Sequence, residues 1–124
     1  MKVLLVDDDE ALLYFLATEL EDRGFDIRQS HNGDEAFHRW QHEGPFEFVL
    51  TDHRFIPGVS IKHGVQLVTA IHGINPLQRM AIMTADPREA REKLPKALRN
   101  FPMLLKPFRI EQVLRLLREP IQPL

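Results

Sequence analysis

The chain has no cysteine among its 124 residues, so disulfides and thiolate chemistry are excluded. It also lacks an excess of either charge. The 16 Lys and Arg against 18 Asp and Glu give a formal charge of −2, without the basic footprint that gripping nucleic-acid phosphates requires. Direct nucleic-acid binding by this chain is therefore not expected. No apolar run approaches the ~20 residues of a membrane-spanning helix. The first such run is short and stopped by acids, unlike a secretory leader. A cytoplasmic protein with no membrane association is the resulting expectation. Repeats and low-complexity segments are missing as well. What is present, 44% hydrophobic and 27% charged residues, suits one domain with one ordinary core.

Val3, Leu4, Leu5 and Val6 run unbroken into Asp7, Asp8, Asp9 and Glu10. A short aliphatic run with no polar face is the mark of a strand covered on both sides by helices, as in a parallel sheet. Ligands of open α/β sheets gather outside the carboxyl ends of the strands, so the acids stand where a site is expected, and clustered carboxylates call for a cation. One acid is expected only to cap the helix that follows. Asp9 is the candidate, since residues 11–20 place Leu13, Leu16, Ala17 and Leu20 on one face.

The pattern then repeats. Residues 25–30 alternate like a half-exposed edge strand, and Asn32 and Gly33 cap a short helix over about 34–41 with Ala36, Phe37 and Trp40 inward. Residues 46–51 form a buried strand ending in Asp52, and a loop with Pro57 and Gly58 leads to a helix over about 64–72. Residues 80–83 are a strand ending in Thr84, Ala85 and Asp86. Pro87 opens a charged helix over 88–98 that Pro95 should kink or end. Residues 103–105 are the last strand, ending in Lys106 and Pro107, and Ile110, Val113, Leu114 and Leu117 mark a closing amphipathic helix. Five strands alternating with five helices imply a parallel sheet, with the polar strand ends on one rim.

That rim would hold three carboxylates, a hydroxyl and an ammonium. Mg²⁺ takes one or two carboxylates with waters and phosphate oxygens, and together with Lys106 and Thr84 it would neutralise a transferring phosphoryl group. Asp52, isolated from the other acids, is the candidate nucleophile, since carboxylates form aspartyl phosphates. Singly, each residue has a plainer reading: Asp52 a turn residue, Thr84 a helix cap, Lys106 a surface charge. His38 and His42 stand four apart, but without further ligands they read as solvent-facing, and His53 and His63 as loop residues.

With Val6, Asp7 and Asp8, then Asp52, then Thr84 and Ala85, then Lys106, Pro107 and Phe108, each set closing a strand, the chain resembles a response-regulator receiver domain of two-component signalling over nearly its whole length. The resemblance implies a flavodoxin-like (CheY-like) doubly wound α/β fold with a five-stranded parallel sheet, order 2-1-3-4-5, and five helices. It implies that Asp52 takes a phosphoryl group from a sensor histidine kinase or phosphotransfer protein, and that Mg²⁺ is bound by Asp7, Asp8, Asp52 and the backbone carbonyl of Arg54. Thr84 and Lys106 would hold phosphoryl oxygens. The chain would not be an enzyme beyond its own phosphorylation and dephosphorylation. The face of the fourth helix, fifth strand and fifth helix would control an output domain or effector, or form a homodimer. Residues 1–119 are read as the receiver and 120–124, with Pro120 and Pro123, as a tail or the start of a linker.

Three departures from the family pattern stand out. Pro57 lies five residues after Asp52 and Gly64 twelve, farther than the family spacing, as though residues 59–63 were inserted; a bulge into solvent is the plainest expectation. Met103 replaces the usual aromatic switch residue, where its flexible thioether could fill the space that Thr84 vacates. Arg54 and Asp86 are placed to meet as an ion pair across the pocket mouth. Two rivals are weighed: a phosphorylation-independent scaffold, and a haloacid-dehalogenase-like phosphatase using Asp7 and Asp9.

Overall fold

In the computed structural model, which describes residues 1–55, 60, 61 and 63–119, the first aliphatic run is the strand β1 (Lys2–Val6). Then follow α1 (Glu10–Glu21), β2 (Asp26–Ser30), α2 (Gly33–Glu43), β3 (Phe48–Asp52), α3 (Gly64–Ile74), β4 (Met80–Thr84), α4 (Pro87–Lys93), β5 (Met103–Leu105) and α5 (Ile110–Arg118). The strands form one parallel sheet in the order β2-β1-β3-β4-β5. This is the order the family resemblance implied, with β2 at an edge.

The reason for unbroken aliphatic strands is visible in the two sides of β1. Leu4 and Val6 pack with Val49, Ile82, Val65, Val68 and Ile71 on the side of α2 and α3. Val3 and Leu5 pack with Leu13, Leu16, Leu20, Val113 and Leu117 on the side of α1 and α5. Both faces are buried, so a polar alternation would place unpaired polar groups in the core. Each fully buried Leu or Val contributes roughly 1.5–3 kcal/mol relative to exposure.

Local signals set the helix ends. The Asp9 carboxylate accepts from the Leu12 N–H at 3.1 Å and starts α1; Asn32 does the same for α2 with the Glu35 N–H at 2.8 Å. Gly24, at φ +90°, supplies the left-handed turn after α1 that a side chain would disfavour. The fourth helix is cut short by Pro95: α4 closes at Lys93, and a single 3₁₀ turn follows over Lys96–Leu98. Pro57, Gly58, Val59, Lys62 and the tail 120–124 lie outside the described residues. Among the described residues, no helix is long and apolar enough to cross a membrane.

Candidate functional site

Parallel register brings the carboxyl ends of four strands level: Val6 pairs with Thr51, Asp52 with Met83, and Thr84 with Leu105. The residues just past those ends therefore converge. Asp7, Asp8 and Asp52 each offer a carboxylate oxygen within 4.8 Å of the others, a group that could hold a metal ion. Lys106 Nζ donates to Asp7 Oδ2 at 3.0 Å and to Asp52 Oδ1 at 2.8 Å, across 99 and 54 residues of sequence. Lys106 is thus no surface charge.

The electrostatics follow from burial. Desolvation lifts the Asp52 pKa to about 6, with the Asp7 charge adding to it and Lys106 opposing. Asp8 is also raised, by burial first and then by Asp7. Burial works against the Lys106 ammonium, but the hydrogen bonds and charges of Asp52 and Asp7 outweigh it and raise its pKa. Carboxylates that one ammonium leaves under-neutralised suit a hard divalent cation with oxygen ligands.

Beside the cluster lies a cleft of about 320 Å³ lined by Asp52, His53, Arg54, Thr84, Ala85, Asp86, Glu89 and Lys106. Thr84 is buried, and its Oγ1 accepts from the Asp86 N–H at 2.9 Å. It therefore turns the loop instead of capping α4. Asp86 is the cap, accepting from the Glu89 N–H at 3.1 Å.

The expected Arg54–Asp86 pair does not form. Arg54 instead binds Glu89, and Glu89 also takes Lys93 at 3.2 Å. The sequence carried a signal for this: Asp86 directly before Pro87, with Glu89 three residues on, is a helix-start pattern that already engages Asp86. The Arg54 hydrogen bond holds the Glu89 pKa below its usual value.

His53 lies in the bend that follows β3, as the loop reading had it, and what the structure adds is its burial. Its Nε2 is 4.0 Å from Glu89 Oε1, and burial lowers its pKa. His38 and His42 stack at 4.2 Å, and His42 Nδ1–H donates to the His38 carbonyl at 2.8 Å, which removes that nitrogen as a ligand. Met103, half-buried, packs against the α2–α3 side of the core.

The inserted stretch does not simply bulge into solvent. Arg54 and His63 form an isolated antiparallel bridge, and Ile61 packs against the core. Gly64 approaches the end of β3 closely despite its distance from Asp52 in sequence: a Cβ there would sit 2.1 Å from the Asp52 carbonyl oxygen.

The family profile for the response regulator receiver domain matches residues 3–118. The response regulator receiver protein CpdR of Brucella abortus is 30% identical over 112 residues, 90% of this chain and 89% of that protein. Among solved structures, the Vibrio cholerae chemotaxis protein CheY4 superposes with a TM-score of 0.79 at 24% identity, over 94% of this chain and 95% of that one, a likeness of fold. A response regulator of Burkholderia pseudomallei, solved with a phosphorylated aspartic acid, a calcium ion and citrate, gives 0.71 at 27% identity, over 94% of this chain and 66% of that one. The phosphatase reading falls away, since Asp9, its second acid, caps α1. With the strand order and the rim of Asp7, Asp8, Asp52, Thr84 and Lys106 in place, the chain belongs to the response regulator receiver domain family of two-component signalling.

Proposed function

We propose that this receiver is an active phosphoacceptor in the cytoplasm, with Asp52 as its nucleophile. The observation that carries the reading is Lys106 held between Asp7 and Asp52 beside an open cleft. Lys106 engages Asp52 Oδ1, and the other carboxylate oxygen attacks phosphorus. As the O–P bond forms, the P–N bond of a phosphohistidine breaks and its electron pair returns to the imidazole nitrogen. Asp7, Asp8, Asp52 and the Arg54 carbonyl would hold Mg²⁺, which supplies charge neutralisation to the phosphoryl oxygens. Lys106 and the Thr84 hydroxyl take the remaining phosphoryl oxygens, so the Thr84–Asp86 turn must open as Thr84 moves inward. Because Asp86 starts α4, that movement is passed to the face of α4, β5 and α5.

Receiver domains of this family interact with histidine kinases and output domains. For this chain the donor is a sensor histidine kinase or phosphotransfer protein, and the exposed face, with Leu105 at its centre, serves an output domain, an effector or a second copy. The chain turns over nothing but its own phosphoryl group.

Intact mass after incubation with Mg²⁺ and acetyl phosphate tests the reading. The expected result is a base-labile gain of one phosphoryl group that EDTA prevents and Asp52→Ala removes. No gain, repeated with a competent kinase, would leave a scaffold.

Arg54 and Glu89 both line the cleft and pair with each other, and in this reading the pair limits how water reaches a phosphoryl group on Asp52. Arg54→Ala and Glu89→Ala should each shorten the phosphorylated lifetime, by about three- to fivefold, with little change in Tm because exposed ion pairs contribute little to stability. Equal decay rates in wild type and both variants would show that the pair does not screen the site.

A further inference from the structure

Asp34 stands in the first turn of α2, where an acid is ordinarily explained by the helix dipole. Here Asn32 already caps the helix, and both Asp34 oxygens are used elsewhere. Oδ2 accepts from the Ser60 N–H at 2.9 Å and Oδ1 from the Ile61 N–H at 2.8 Å. Two consecutive backbone amides on one carboxylate fix the chain in orientation as well as position, and charge-assisted bonds of this kind are the strong ones.

The neighbouring residue completes the attachment. A Cβ at Gly33 would lie 2.3 Å from Ile61 Cγ2 and 2.6 Å from the Ile61 carbonyl oxygen, so Ile61 rests directly on the start of α2. His63 and Gly64, farther along the chain, join the site. The Gly64 N–H donates to the His53 carbonyl at 2.7 Å, and that bond flanks the Arg54–His63 bridge. A flanking bond is the mark of a non-hydrogen-bonded pair, in which the ladder does not engage the Arg54 carbonyl.

We infer that Asp34 is a positioning residue for the metal site: by anchoring Ser60 and Ile61 to α2 it restrains His63 and Gly64, which align the Arg54 carbonyl with Asp7, Asp8 and Asp52. This rests on the proposed phosphoacceptor reading, in which that carbonyl is a ligand. The inserted loop then has a physical role. A longer connection costs the site precision unless something outside it restrains the added chain, and Asp34 is that restraint. Partners behind metal ligands commonly govern affinity in this indirect way.

The test is calorimetric titration of the full chain with Mg²⁺ alone, for wild type, Asp34→Asn, Asp34→Ala and Gly33→Ala, with amide hydrogen exchange on the metal-free proteins. Asp34→Ala is expected to weaken Mg²⁺ binding about tenfold and to speed exchange at Ser60 and Ile61, with Asp34→Asn intermediate. Gly33→Ala should produce the same pair of changes with the carboxylate intact, by displacing Ile61. A merely structural role would lower Tm and leave Mg²⁺ affinity unchanged well below the transition. Wild-type affinity in Asp34→Ala, or unchanged exchange at the two amides, overturns the inference alone. No Mg²⁺ binding by the wild type overturns it together with the phosphoacceptor reading.

Discussion

Lys106→Met should melt far below the wild type in Mg²⁺-free buffer at pH 7, and added Mg²⁺ should restore most of the difference. The Asp7 side chain is 1% exposed and the Asp52 side chain 13%, and among the described residues Lys106 is the cation bonded to both. Removing one partner of a buried ion group leaves the other charges uncompensated, at a cost of about 3 kcal/mol. For a domain of this length that lowers Tm by on the order of 10 °C. A divalent cation among the same oxygens replaces the missing charge, and binding to the native state alone adds stability by mass action. The check is calorimetric melting of both proteins in EDTA and in Mg²⁺.

The part of the pH dependence of the same melts that Asp52 supplies has a definite sign. Burial raises the folded pKa of Asp52 from 3.8 to about 6, so between those values the native state binds more protons than the unfolded chain. The contribution of Asp52 to stability in EDTA therefore falls as pH rises through that window, while the lowered pKa of His53 contributes in the opposite sense. Without Lys106 the carboxylates lose the group that opposes this shift. The fall should extend to higher pH in Lys106→Met, and acidification should narrow the gap between the two proteins. A gap in Tm that neither Mg²⁺ nor acid closes would show that methionine disrupts packing instead of charge balance.

Gly64→Ala should be the most damaging of the small substitutions. Its Cβ would meet the Asp52 carbonyl oxygen at 2.1 Å, the Asp52 carbonyl carbon at 3.1 Å and His53 Cα at 3.3 Å. These are backbone atoms, and no side-chain rotation relieves them. Either α3 withdraws or the end of β3 shifts. Overpacking of this kind costs about 2–3 kcal/mol, and an ångström of displacement at a reacting carboxylate can cost on the order of a hundredfold in rate. The expected result is a lower Tm together with a much slower phosphoryl gain from acetyl phosphate. Gly73→Ala is the internal control: a Cβ there meets nothing within 4 Å, and alanine is the better helix former by up to about 1 kcal/mol. If Gly64→Ala behaves like Gly73→Ala, the close approach does not constrain the site.

The contrast between the two glycines shows how far the primary structure could be read. Gly64 is visible as a glycine standing unusually far from Asp52. That it lies against the Asp52 carbonyl depends on the path of the loop, which no periodicity encodes. The Arg54 pairing failed as an expectation for a related reason. Which acid a long, exposed arginine reaches is decided by helix orientation and rotamer, and Asp86 had already been taken by the local cap.

The sequence by itself determined the strands, the caps at Asp9 and Asn32, the break at Pro95 and the set of strand-terminal groups Asp7, Asp8, Asp52, Thr84 and Lys106. Each of these follows from local chemistry: two buried faces demand aliphatic runs, free helix N–H groups demand a short acceptor, and polar residues must lie past the strand ends. Only the tertiary structure decided that Lys106 bridges Asp7 and Asp52, that Glu89 takes Arg54, that His53 is buried beside it, and that Asp34 anchors the inserted loop. Those contacts join residues far apart in the chain. Their partners are selected by the register of the sheet and the space left between packed elements, quantities that exist only once the chain has closed on itself.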